Sequence, residues 1–216
     1  MDYENIAKQF DNLTDEEKMA LLVYKSKLGL LINDLDNNPN YQEYYDYALK
    51  IKSNLMNMFV LNTYFKILDL STLESFIDSI KKVKYILDNS LGKIKLSEDT
   101  EVYRAVSSNE DINDISKSNI ISTSLSFGQT LLFAQSGNNI DIYRIRLHKD
   151  DPILCIPYSI LYDEKRNYLT ITSLQTQDEI ILNKDDYIFE KSTITDINSS
   201  TKLIELEAIK KDIRTL

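Results

Sequence analysis

Apolar positions in the first 97 residues recur with helical spacing. Thr14 followed by Glu17 forms a T-x-x-E capping box that opens the apolar-rich segment MALLVYKSKLGLLINDL, read as one long helix. A second helical block is expected from Tyr41 to about Leu68, with Pro39 just before its start. Tyr41, Tyr44, Tyr45 and Tyr47 sit at the spacing of a packed helix face. Ser71 with Glu74 repeats the capping box. Leu73, Ile77, Ile80, Leu87 and Leu91 then follow at three-, four- and sevenfold spacing, and Gly92 supplies a stop.

From about residue 99 the period shortens. EVYRAVS, NIISTS, NIDIYRIRL, ILCIP, NYLTITS, DEIILN, DYIFEKSTI and KLIELEAI are β-branched and partly alternating, and read as strands. Only the stretch 127–136 interrupts them as a helix. The architecture expected is α+β: a helical N-terminal layer, residues 1–97, against a mostly antiparallel two-sheet β core, residues 98–216. With 4 Gly and 3 Pro and no linker-like tract, the two parts are expected to form one compact unit.

Composition narrows the chemistry. At 43% hydrophobic and 27% charged residues the chain is of ordinary globular type. Cys155 is the only cysteine and sits in PILCIP, which excludes an internal disulfide and suits a buried thiol. His148 is the only histidine and lies in the polar turn RLHKDD, which disfavours histidine-rich zinc sites and a Ser–His–Asp arrangement. Carboxylates, arginine and hydroxyls are left to carry any catalysis, and no metal is expected. The net charge of −9 is uneven: residues 1–97 hold 12 Lys/Arg against 14 Asp/Glu, residues 98–216 hold 13 against 20. An acidic second half disfavours unspecific contact with a phosphate backbone but leaves room for a nucleotide held by placed arginines.

Three polar features stand in apolar surroundings. Arg104 lies inside the strand VYRAV, a costly place for a charge unless it is paired, faces a ligand or snorkels to an edge. Ser122, Thr123 and Ser124 put three hydroxyls at the end of a strand, just before a helix. Gln177 and Glu179, two residues apart at the start of EIIL, share a face if that strand extends through them.

In this order, with these spacings, the three features resemble the arginine–serine–glutamate class of mono-ADP-ribosyltransferases, which includes bacterial exoenzymes and the catalytic components of clostridial binary toxins. The likeness spans most of the chain. YRAVS is similar to the family's Y-R-G or Y-R-R segment, with Ala105 where glycine or arginine is usual. SNIISTS resembles the N-x-x-S-T-S form, which brings in Asn119. LLFAQS is similar to the family's Phe-Ala helix and places Phe133 where an aromatic ring approaches nicotinamide. YKSKLGLLIN, with a tyrosine nine residues before its asparagine, is similar to the helix that packs over the NAD cleft. One departure is a longer segment between ILCIP and Gln177, where DEKRN suggests an extra hairpin.

The resemblance implies a division of labour. Glu179 would stabilise the oxocarbenium-like transition state formed as the nicotinamide–ribose bond of NAD breaks, and would hold the ribose 2′-hydroxyl. Arg104 would anchor the diphosphate through charge-assisted hydrogen bonds. Ser122 would fix the glutamate, Thr123 and Ser124 the strand end, and Phe133 would pack on nicotinamide, with Ala105 and Asn119 completing the wall. NAD is thus expected as substrate, without a metal.

Gln177 in place of a first glutamate resembles members that modify non-basic acceptors, so a protein target without an arginine acceptor is favoured over a nucleic-acid base. An NAD glycohydrolase and a catalytically silent binding module are the competing readings. MDYENIAKQF carries neither the basic start nor the apolar core of a signal peptide, and no apolar run is long enough for a membrane span. The expectation is a cytoplasmic enzyme, or a toxin, effector or phage-encoded modifier delivered with the help of a partner.

Overall fold

The computed structural model describes residues 3–37, 39–55, 65–107, 120–135, 140–156 and 179–211. Helices α1 (Tyr3–Asp11), α2 (Asp15–Lys25), α3 (Leu28–Asn33), α4 (Tyr41–Leu55) and α5 (Leu73–Ser90) form the N-terminal layer. Strands β1 (Ile94–Lys95), β2 (Thr100–Ser107) and β3 (Ile120–Ser124) follow, then α6 (Phe127–Gln135). The chain closes with β4 (Ile140–Leu147), β5 (Pro152–Ile156), β6 (Glu179–Asn183), β7 (Tyr187–Asp196) and β8 (Lys202–Lys210). The strand expected at NYLTITS lies outside the described residues.

The strands form one eight-stranded sheet in the order β1-β5-β6-β3-β2-β4-β8-β7. This corrects the expected pair of sheets. The sheet is also mixed: β8 runs parallel to β4, while the other described pairings are antiparallel. Alternation in a strand sets which side chains share a face, not which strand lies alongside, so neither feature was available from the period alone. The three strands that carry the polar features, β6, β3 and β2, are neighbours in the middle of the sheet.

The expected long helix after Thr14 is broken in two. Its capping box is present: Thr14 Oγ1 accepts from the Glu17 amide at 3.3 Å, and Glu17 Oε2 accepts from the Thr14 amide at 2.8 Å. The helix then stops at Lys25, where the Ser26 hydroxyl and amide both donate to the Val23 carbonyl, at 2.6 and 3.1 Å. Hydroxyls that bond nearby carbonyls compete with the helical ladder. The chain restarts as α3, folded so closely that a Cβ on Gly29 would lie 2.1 Å from the Tyr24 carbonyl oxygen. The second expected capping box is not formed: Thr72, not Ser71, caps α5 with a single bond, its hydroxyl accepting from the Ser75 amide at 3.1 Å. Gly92 takes a positive φ of 87° two residues past the helix.

Glu17 ties the layer together. It accepts from Lys93 and, at 3.0 Å, from the Ser90 hydroxyl at the end of α5. Burial works against its charge, yet the bonds from Lys93, Thr14 and Ser90 hold its carboxyl below the usual value. The tyrosine face of α4 packs on the core as expected: the Tyr45 ring lies 5.5 Å from that of Phe76, and its hydroxyl donates to the Leu70 carbonyl at 3.1 Å. Cys155 is fully buried. His148 is partly exposed and its Nε2 lies 2.7 Å from Glu207 Oε1.

Gly29 is the sharpest steric constraint in the helical layer. Gly29→Ala is expected to cost on the order of 2 kcal/mol in a urea unfolding titration, as overpacking against rigid backbone does. Gly128→Ala, whose Cβ would meet only the Ser126 hydroxyl at 3.9 Å, is expected to cost nothing measurable.

Candidate active site

Three neighbouring strands deliver three polar side chains to one place. In β2, Val102, Arg104 and Val106 share a face, and both valines are core residues, so Arg104 stands where the period calls for an apolar side chain. Its Nη1 donates to the Ser122 carbonyl at 2.6 Å. In the antiparallel pair β3–β6, Ser124 lies opposite Glu179 and Ser122 opposite Ile181. Ser122 is therefore the diagonal neighbour of Glu179 on the same face, within reach of a side-chain bond. The Ser122 hydroxyl donates to Glu179 Oε1.

Each of the three hydroxyls has a separate partner. Thr123, pointing the other way and 4% exposed, donates to the Ile180 carbonyl at 2.8 Å and ties β3 to β6. The Ser124 hydroxyl accepts from the Ser126 amide at 3.1 Å and shapes the turn. Ser126 in turn accepts from the Gln129 amide at 3.2 Å at the start of α6. The strand ends in hydroxyls because one contacts the carboxylate, one the neighbouring strand and one the turn into the helix.

Tyr103, Arg104, Ala105, Ser122, Thr123, Ser124, Thr130 and Glu179 line a cavity of about 340 Å³. That volume falls within the range of ordinary small-molecule sites. Of the residues singled out in the sequence, Arg104, Ala105, Ser122, Thr123, Ser124 and Glu179 line this one cavity. Asn119 and Gln177, and the side chain of Phe133, lie outside the described residues. Tyr103 and Thr130 enter the lining unanticipated. The Tyr103 ring meets Phe127, at the start of α6, nearly edge-on at 5.4 Å.

The helical layer adds a residue that the sequence reading missed. Lys25, the last residue of α2, pairs through Nζ with Glu179 Oε2. The pair is nearly dry, with side-chain exposures of 2% for Lys25 and 9% for Glu179. Both oxygens of Glu179 are therefore engaged, one by a hydroxyl from β3 and one by an ammonium from α2. The signal was present: Lys25 is four residues after Leu21, which is fully buried, so a charge falls on the apolar stripe of the helix.

Next to it, Tyr24 is 5% exposed, and its hydroxyl accepts from Asn33 Nδ2 at 3.2 Å. The break at Ser26 is what folds Asn33 back onto it. Burial, and then the charge of Glu179, push the Tyr24 phenol far above its usual value, so it stays neutral.

No family model matches the chain, and no curated protein matches it. Solved structures do. Plx2a, an ADP-ribosyltransferase toxin from Paenibacillus larvae, superposes with a TM-score of 0.54 at 15% identity, over 97% of this chain and 92% of that one. The fold is that of the bacterial ADP-ribosyltransferase toxins. The C3 exoenzyme of Clostridium limosum gives a TM-score of 0.53 at 15% identity, over 96% of this chain and 90% of the exoenzyme. The ADP-ribosylating toxin BECa of a C. perfringens binary enterotoxin, solved with NADH, gives 0.50 at 13% identity, over 97% of this chain and 45% of BECa.

The pairing of Lys25 with Glu179 has a stability signature. Lys25→Met strands a buried carboxylate and is expected to lower the unfolding free energy by roughly 3–5 kcal/mol. Lys25→Met with Glu179→Gln should regain a large part of that in the same urea titration. Purely additive losses would mean that the two groups are not coupled.

Proposed function

We propose that this protein is an NAD-dependent mono-ADP-ribosyltransferase. One observation carries the reading: Arg104, Ser122 and Glu179, from three adjacent strands, converge on a single cavity, with Glu179 held by the Ser122 hydroxyl. The fold shared with the bacterial toxins supports it, as does the binding of NADH reported for one of them.

The chemistry follows from the residue types. Breaking the bond between nicotinamide and ribose leaves positive charge on the ribose, and a fixed carboxylate gains attraction as that charge grows. Glu179 supplies it, and accepts a bond from the ribose 2′-hydroxyl. Ser122 keeps the carboxylate from turning away. Arg104 binds the diphosphate with its planar fork. Thr123 and Ser124 hold the strand end, and Ala105 leaves room beside Arg104. Asn119, Phe133 and Gln177 complete the reading from sequence: Asn119 on the wall of the cleft, Phe133 against nicotinamide, Gln177 facing the acceptor. The layer of residues 1–97 covers NAD, and 98–216 is the catalytic part.

A neutral amide at Gln177 orients an acceptor without drawing off its proton, which favours a non-arginine group on a protein. The balance of 13 Lys/Arg against 20 Asp/Glu in residues 98–216 also disfavours a nucleic-acid target.

The test is incubation with labelled NAD, alone and with bacterial and animal cell lysates. The expected result is label on discrete protein bands, with turnover of Glu179→Ala lower by roughly 10²–10³-fold. Arg104→Lys keeps the charge but loses the fork, and should raise KM for NAD more than it lowers kcat. Nicotinamide release without any labelled macromolecule would point to glycohydrolysis. Absence of NAD binding would overturn the enzyme reading.

A further inference from the structure

Two cationic side chains bracket Ser122 and its carboxylate partner, Arg104 on the serine and Lys25 on Glu179. Arg104 donates to the Ser122 carbonyl at 2.6 Å, and the Ser122 hydroxyl bonds to the carboxylate that Lys25 holds. Among the described residues lining the cavity, together with Lys25, two cations therefore face one carboxylate. Tyr24 adds no negative charge, since burial and the nearby Glu179 keep its phenol protonated. In a chain of net charge −9, the described charges at this cleft sum to a positive value, which suits an anion better than a neutral ligand.

The position of Lys25 also poses a problem for the chemistry. A carboxylate compensated by an ammonium offers little field to a cation growing on the ribose. If Lys25 stayed on Glu179 throughout, the residue that must stabilise the transition state would be largely neutralised. Lysine differs from arginine in carrying a compact charge on a flexible four-carbon stem, so it can change partner without the loss of a fixed fork. The break at Ser26 leaves Lys25 at the very end of α2, beside the turn into α3.

We propose that Lys25 is a diphosphate-binding residue that exchanges partners: in the free protein it holds Glu179, and an entering dinucleotide draws its ammonium onto a phosphate, which frees the carboxylate for the ribose. This rests on the NAD reading above. The diphosphate brings two negative charges to two cations, and Glu179 regains its own charge only when substrate is in place. Glu179 and the diphosphate then compete for one ammonium, and such competition is reciprocal.

That reciprocity gives a test that needs no catalysis. ADP carries the diphosphate but lacks the ribose that Glu179 would touch, and adenosine lacks both. Calorimetric titration of ADP is expected to show weaker binding by about 10-fold for Lys25→Met, within the usual range of coupling between sites. Glu179→Gln is expected to bind ADP several-fold more tightly than the wild type, because the competitor for Lys25 is gone. In the double variant that gain should vanish, and adenosine should respond to neither change. Tighter binding cannot arise from a damaged fold, and its loss in the double variant separates partner exchange from the mere removal of a negative charge, which would tighten ADP binding with or without Lys25. ADP binding that Glu179→Gln leaves unchanged or weakens would overturn the exchange while NAD binding still stood. Failure of the wild type to bind either ADP or NAD would overturn the cleft reading and this inference with it.

Discussion

A nearly dry ion pair between α2 and β6 joins the two halves of the molecule at their chemical centre. Removing an ammonium and a carboxylate from water costs several kcal/mol each, and their attraction offsets this only when the geometry is good and other bonds complete the shell. Here the Ser122 hydroxyl takes the second oxygen of Glu179. The consequence is positional rather than a simple gain in stability. A charged pair tolerates little displacement in a dry environment, so α2 has one favourable placement over the sheet. Glu17, bonded to Lys93 and Ser90, sets the far side of the same helix against α5. The helix is thereby fixed at both ends by carboxylates, one on the helix and one on the sheet.

Neighbouring positions on one strand do different jobs because a strand turns its side chains alternately. Ser122 and Ser124 turn their side chains one way, while that of Thr123 turns the other and ties β3 to β6. The same alternation lets Arg104 reach Ser122 while Tyr103 turns to α6 and Phe127. Central strands are the least free to move, since hydrogen bonds hold them on both sides. Placing the carboxylate, serine and arginine on β6, β3 and β2 thus gives the site its stiffness, and among the described residues Lys25 at the end of α2 and Thr130 of α6 reach it from outside the sheet.

Much of this could be read from the chain, for reasons that can be named. Arg104 stood out because a charge inside an apolar strand violates the period, whereas Ser122 and Glu179 took their meaning from the resemblance, since hydroxyls at a strand end and a polar pair before a strand are common. The helices and most strands followed from spacing. The break at Ser26 did not, because the apolar period continues from Leu21 through Leu28 to Ile32 and hides it; only Ser26 and Gly29 mark the place. Ser71 and Thr72 are both hydroxyl residues, so spacing alone could not decide which caps α5. One sheet rather than two, and the parallel contact of β8 with β4, depend on contacts distant in sequence. Lys25 escaped notice for a related cause: a lysine at a helix end is usually a solvated charge beside the dipole. What makes this one different is its partner 154 residues away.

The contrast between global and local charge completes the physical picture. A net charge of −9 repels an anion at long range, but salt screens that field over about 8–10 Å, the Debye length near physiological ionic strength. Inside a cleft of low polarisability the nearest charges dominate, and among the described residues those are Lys25, Arg104 and Glu179. A net-acidic chain disfavours polyanions, which must meet much of its surface, more than a small anion, which meets mainly the pocket. The same distribution that disfavours a nucleic-acid backbone is therefore compatible with a dinucleotide.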